Sequence, residues 1–275
     1  MPRALSRLST TFVYIFLAVL SILFLLPFYV LIVTGMKSFD EVSMMTMWHL
    51  PESLNWSSFV SAFEKLGPNF LNSFLMVIPA TVISALLGSL NGYAFTKWKF
   101  KGSDLLFNIL LFGMFIPYQS ILIPLINTIR ALGLYNTIPG LVLVHVIYGL
   151  PMTTLMFRNF YVSIPQAMIE AAQVDGAGFF RTYTKVILPV SVTGFVVVGI
   201  WQFTNIYNEF LFAITITGFD KYPVMVALQN LAGSQVVEWN VQMAGALLAA
   251  VPTMLIYILA GRYFIKGMLA GSVKG

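Results

Sequence analysis

Residues 169–189 read IEAAQVDGAGFFRTYTKVILP, a charged and small-residue stretch between two long apolar runs. Glu170, Asp175, Arg181 and Lys185 punctuate it, with alanine and glycine between. Just upstream, Pro165 suits the first position of a helix, and QAMIEAA (166–172) is rich in helix formers. Gly176 and Gly178 then supply a stop. The pattern predicts a helix too short to cross a membrane, with Ala171 and Ala172 on its surface. A helix lying on lipid wants Trp, Phe or Leu on one face and basic residues on the other. Alanine, glycine and two acids suit docking onto protein better. The two glycines begin a G-x-G-x-x-G pattern, but Arg181 stands where the last glycine belongs. No G-x-x-x-x-G-K-[ST] phosphate loop occurs, so the chain has no ATP-binding motif of that kind.

The surrounding composition sets the class. Of 275 residues, 59% are hydrophobic and 9% charged, against roughly 25% charged in soluble domains. The basic residues behind the net charge of +5 are scattered between apolar runs. They speak to membrane orientation, not nucleic-acid binding. There is no cysteine, which excludes disulfides, Cys-ligated zinc and thiol catalysis. The two histidines, His49 and His145, form no metal-binding cluster, and His145 reads as a packed helix residue. No paired carboxylates or nucleophile motif emerge, so no catalytic residue, resident cofactor or metal is expected, and a membrane enzyme is disfavoured.

Six stretches free of Lys and Arg are long enough to span a bilayer: about 12–36, 69–95, 105–127, 134–157, 188–217 and 241–261. The first follows Arg3 and Arg7, but its apolar run exceeds the roughly 7–15 residues of a signal core. It reads as a retained span after a cytoplasmic tail, residues 1–11. The fold class is therefore all-α integral membrane, one domain over 12–275. With the N-terminus inside, Arg3, Arg7, Lys97, Lys99, Lys101, Arg158, Arg181, Lys185, Arg262, Lys266 and Lys274 are cytoplasmic. Only Lys37, Lys65, Arg130 and Lys221 lie outside, eleven against four, which satisfies the positive-inside rule. Both termini are then cytoplasmic, and residues 158–187 form a cytoplasmic loop. Pro79, Gly88, Gly113, Pro117, Pro124, Gly140 and Pro252 lie within spans. They are either ordinary kinks or signs of a bundle packed against other protein. In the outer loop, 37–68, Trp48 and Trp56 are interfacial anchors or a partner surface.

One acid lies well inside a span: Glu209, in GIWQFTNIYNEFLFA (199–213). An intramembrane charge costs about 2.5–3.5 kcal/mol by insertion scales and is a functional candidate by default. Gln202, Asn205 and Glu209 recur at helical spacing, with Asn208 alongside and Trp201 and Tyr207 flanking. Amides, an acid and aromatic faces suit a sugar, with hydroxyls to bind and apolar ring faces. The alternative is interhelical hydrogen bonding, typically about 0.6 kcal/mol per pair.

The 170–189 stretch, with its E-A-A, D-G-A and I-x-L-P elements, resembles the EAA loop of permease subunits of bacterial ABC importers. NGYAFTKWKFKG (91–102), MFIPYQSILIPL (114–125) and the closing LAGSVKG (269–275) are similar to carbohydrate-uptake permeases related to the maltose system. The resemblance implies a type I ABC importer permease fold of six spans in a bacterial or archaeal plasma membrane. It implies that Glu170, Ala171, Ala172, Asp175, Gly176 and Ala177 dock on a cytoplasmic ATPase. It also implies a second homologous permease, two ATP-binding cassette subunits that bind ATP and Mg, and an extracytoplasmic sugar-binding protein. On that reading Trp201, Gln202, Asn205, Asn208 and Glu209 line the substrate pathway or support the permease interface. NEFLFA (208–213) and VEWNVQMAGALLAAVPT (237–253) lean towards glucose- or mannose-like sugars or small glucosides. One departure stands out: LPVSVTG (188–194) lacks the further proline many members carry, which puts the start of span five in question. The alternative function is a stand-alone transporter or channel, though a proton or sodium relay needs more than Glu209.

Overall fold

The computed structural model describes the backbone of residues 2–233 and 237–272, and the side chains of residues 10–233 and 237–261. The charges of Arg3, Arg7, Arg262, Lys266 and Lys274 and all of LAGSVKG fall outside the described side chains. Among the described residues the regular elements are all helices. The long α1 (Pro2–Gly35) and α2 (Ser57–Lys97) come first, then α3 (Ser103–Phe112), α4 (Leu122–Ala131) and α5 (Ile138–Val162). The short α6 (Gln166–Val174), α7 (Phe179–Thr182) and α8 (Leu188–Val190) follow. The chain ends with α9 (Val192–Tyr207), α10 (Leu211–Ile216), α11 (Val224–Ala232) and α12 (Trp239–Ser272). Four of these helices are long and apolar enough to cross a membrane singly, and counting each of two bent pairs as one span gives up to six.

The bends have local causes. Residues 103–115 and 118–131 meet at 91°. Pro117 sits at the corner, and Ile116 before it is extended, as a residue preceding proline prefers to be. Residues 179–190 and 192–207 meet at 79°. There a π-helical turn, Tyr183–Ile187, leads into Pro189, which has no N–H to give the helix. The Ser191 hydroxyl takes up the Ile187 carbonyl at 2.5 Å. Span five thus restarts at Val192, directly after LPVS, without a further proline. Sequence periodicity ran 188–217 together; the structure divides it again between Tyr207 and Leu211. The outer loop is also shorter than its hydrophilicity implied, because α2 begins at Ser57.

The chain forms two compact units. One comprises residues up to Gly67 with Leu228–Ala250. Its small core is Ala62, Val241 and Ala244 beneath Phe59 and Leu248. At Gly35 an added Cβ would lie 3.2 Å from the Ala244 nitrogen, so glycine permits that approach. The buried Lys37 donates to the Thr46 carbonyl at 2.6 Å. Asn240 donates to the Ser58 hydroxyl at 3.0 Å and to the Lys37 carbonyl at 3.3 Å. Lys65 pairs with Glu238. Tyr29 donates to the Trp48 carbonyl at 2.8 Å and the two rings stack, which fastens the loop to α1. The Ser38 hydroxyl and the Glu52 N–H hold the Glu41 carboxyl below its ordinary range. None of the apolar window of α1 is buried, leaving its surface to lipid or other chains.

The second unit comprises Pro68–Ala227 with Val251 onward. Its helices α2 and α5 cross closely. Ser84, Gly88 and Gly92 recur every four residues on one face of α2, the small-residue spacing that lets membrane helices approach. Thr153 donates to the Ser84 carbonyl at 3.1 Å. A Cβ on Gly88 would strike Thr153, and one on Gly92 would come within 2.8 Å of the Arg158 nitrogen. Gly88 is therefore a packing residue in an unbroken helix, not a kink. Half of the apolar window of α5 is buried. From this crossing the core continues through Tyr93, Phe157, Tyr161 and Val198 into Ile169, Tyr183 and Ile187.

Candidate functional site

The charged interruption at 169–189 folds as α6, a turn, α7 and the π-helical turn. Pro165 stands one place earlier than the sequence suggested, as the extended residue capping α6. Ile169 is fully buried in the core cluster. Glu170, Ala171, Asp175 and Gly176 point outward and are exposed, while Ala172 and Ala177 are half-buried. The helix ends on Gly176 at φ +76°, and the Ala177 N–H returns to the Ala172 carbonyl at 2.9 Å. That is a glycine stop in the left-handed region. Its mirror-like conformation costs a residue with a Cβ roughly 1–2 kcal/mol.

The segment is held from behind. Lys97 donates to the Ile164 carbonyl at 2.5 Å. The Ser89 hydroxyl pairs with the Tyr161 hydroxyl at 2.5 Å and with that of Tyr183 at 2.9 Å. The Tyr93 ring lies 4.9 Å from Phe179 and 5.6 Å from Tyr183. Outward, Val174 is 88% and Phe180 67% exposed. Sequence reasoning singled out the small residues and missed these two apolar ones. Their place on either side of the glycine turn was the available signal, since exposed apolar groups beside polar ones mark contact surfaces.

The second candidate is a cavity of about 450 Å³ between α5, α9, α10 and the 118–121 turn. Trp201, Gln202, Asn205, Asn208 and Glu209 all line it. Tyr118, His145, Tyr148, Thr204 and Phe212 join them, and among the described residues no lysine or arginine does. Tyr118 and Tyr148 pack against Phe212 at 5.3 and 4.9 Å between ring centres. Gly149 leaves room for the Gln202 amide, which an added Cβ would strike. Gln202 in turn donates to the His145 carbonyl over 3.5 Å. The amides of Asn205 and Asn208 donate to the Trp201 and Thr204 carbonyls at 2.8 and 2.9 Å.

Glu209 does not continue the α9 stripe. The helix ends at Tyr207, and the Glu209 carboxylate instead accepts the Phe212 N–H at 2.8 Å and the Ala213 N–H at 3.4 Å, capping α10. Tyr207, expected to flank the stripe, is buried and stacks on Phe203 at 5.7 Å. His145 is buried as expected, but beside the cavity and 3.9 Å from Glu209.

The fold and these two sites define a multi-pass, all-helical membrane protein with an exposed loop helix. Residues 80–269 match the family of binding-protein-dependent transport system inner membrane components, and the chain belongs to that family. It is 55% identical over 168 residues to a probable ABC transporter permease protein of Pyrococcus horikoshii, a match covering 61% of each chain. It is 35% identical to the xylose/arabinose import permease protein XacI of Haloferax volcanii, over 89% of this chain and 87% of that one. A bacterial ABC transporter involved in import of the acidic polysaccharide alginate shares the fold: TM-score 0.82 at 18% identity, covering 94% of this chain and 97% of that one. The chain is thus a membrane subunit of an ABC importer rather than an enzyme, and the stand-alone transporter gives way to that assignment.

Proposed function

We propose that the chain is one of two permease subunits in an ATP-driven, binding-protein-dependent sugar importer. Its partners are a second homologous permease, two ATPase subunits that carry ATP and Mg, and an extracytoplasmic sugar-binding protein. Both termini face the cytoplasm, the side that holds eleven of the basic residues. Glu170, Ala171, Ala172, Asp175, Gly176 and Ala177 are the docking face for an ATPase. The observation that carries this reading is the division of α6: Ile169 fixed in the core, the opposite face bare. Closure of two ATPases becomes membrane movement only through a contact whose free energy differs between the two states. A helix clamped by one face and presenting the other meets that requirement.

Trp201, Gln202, Asn205, Asn208 and Glu209 line the pathway. Sugar as cargo rests on the mixture of ring faces and amides there and on the xylose/arabinose permease among the relatives. A glucose- or mannose-like sugar or small glucoside is the expected class. The test is uptake of labelled glucose, mannose and xylose by the complex in proteoliposomes, with ATP enclosed and the binding protein outside. Uptake that stops without ATP is expected. In the same assay Ala171→Trp, on the exposed side of α6, overfills the docking face and should abolish uptake while the subunit still inserts. Normal uptake by that variant overturns the docking assignment.

A further inference from the structure

Resting on the importer reading, we propose that His145 and Glu209 together form a hydroxyl-binding pair that makes this subunit's cavity a subsite for uncharged sugars. The imidazole Nε2 of His145 is buried, 5% exposed as a residue, and has no hydrogen-bond partner among the described residues. Leaving a buried hydrogen-bonding group unmatched is costly. Nε2 lies 3.9 Å from the Glu209 Oε2, too far for a direct bond. A single oxygen about 2.8 Å from each would bridge that gap, which requires the lining over Nε2 to open, because Nε2 is closed to a water-sized molecule in this state. A sugar hydroxyl meets both needs at once, accepting from the imidazole N–H and donating to the carboxylate. A group lacking either capacity leaves one side unmatched.

The remaining lining agrees with that ligand. Trp201, Tyr118 and Tyr148 offer ring faces for the C–H side of a pyranose, and Asn205 and Gln202 offer amides. About 450 Å³ lies within the roughly 300–1,000 Å³ of small-molecule sites. Charge sets the class. The cavity holds the Glu209 carboxylate and, among the described residues, no lysine or arginine, so a uronic acid meets an acid with no cation to offset it. His145 thereby becomes a specificity residue that composition gave no reason to choose.

The experiment compares His145→Leu and His145→Gln with the unaltered subunit, each in the complete reconstituted importer with the binding protein saturated. Uptake is measured for glucose, each monodeoxyglucose and glucuronate, and for mannose and xylose if glucose is not carried. The unaltered importer should carry a neutral sugar, carry glucuronate poorly, and discriminate about tenfold against one deoxy analogue, the worth of one buried hydrogen bond. His145→Leu should lower the parent sugar to the rate of that analogue and leave the analogue unchanged; His145→Gln should restore part of the difference. A histidine that only packs the helix would slow every sugar alike, and that result overturns the pair, as does undiminished uptake by His145→Leu. Failure of the unaltered importer to carry any neutral sugar overturns the underlying sugar reading instead. Co-purification of each variant with its ATPase and permease partners separates these outcomes from loss of assembly.

Discussion

At Glu209 two demands fall on one carboxylate. It caps α10 through the Phe212 and Ala213 N–H groups, and it faces His145 across the cavity. Removing a capping side chain costs about 0.5–2 kcal/mol, whereas the single oxygen of an amide still accepts the shorter bond, from the Phe212 N–H. Glu209→Ala should therefore lower the unfolding temperature of the detergent-solubilised subunit, and Glu209→Gln should leave most of it intact while still impairing uptake. Equal thermal losses for the two would mean that the charge, not the cap, carries the stability. At this scale the sequence was legible in part. The intramembrane acid and the amides around it announced themselves by polarity, since nothing polar is kept in a span without a use. His145 did not: a single histidine in an apolar run looks the same whether it faces a core or a cavity. Gly88 was ambiguous for a similar reason, because only the partner helix reveals that its missing side chain makes room for Thr153.

Elements were legible where periodicity is uninterrupted. α5 and α12 declare themselves as apolar runs of membrane length. The breaks were half visible: Pro117 stood out as a candidate kink and LPVSVTG as a start in question, but hydropathy reads through a bend and gave neither its sharpness. The α6 helix was visible through its alanines and closing glycines, but its anchoring was not. Ser89, Tyr161 and Tyr183 come from α2, α5 and the π-helical turn, and nothing in their spacing along the chain forecasts one shared hydrogen-bond network. Anchoring matters because a docking helix that slips transmits no movement. Ile169→Ala removes a fully buried side chain at a cost of about 2–5 kcal/mol while leaving the outward face unaltered. In the reconstituted importer, ATP hydrolysis should continue with fewer sugars moved per ATP. An unchanged ratio would show that α6 needs no such hold.

For the whole molecule the sequence decides orientation through charge, and the absence of cysteine makes this directly measurable. Asp175→Cys should react with an impermeant maleimide only from the cytoplasmic side, and Glu52→Cys only from the opposite side. The reverse pattern would invert the topology and remove the α6 face from reach of any cytoplasmic ATPase. Class followed from composition and run length, because a bilayer of fixed thickness leaves few other solutions, and the four to six spans that helix length and composition allow include the six read from the sequence. Partners are less legible, since each is inferred from a face that lacks one. The most direct test of the central claim, that this chain moves its cargo with force supplied elsewhere, is mild-detergent purification from its native membrane with mass identification of everything that accompanies it. A Walker-motif ATPase and a second six-span permease should co-purify, and Ala171→Trp should lose the ATPase while retaining the permease. A chain that purifies alone and carries solute without ATP would contradict the account.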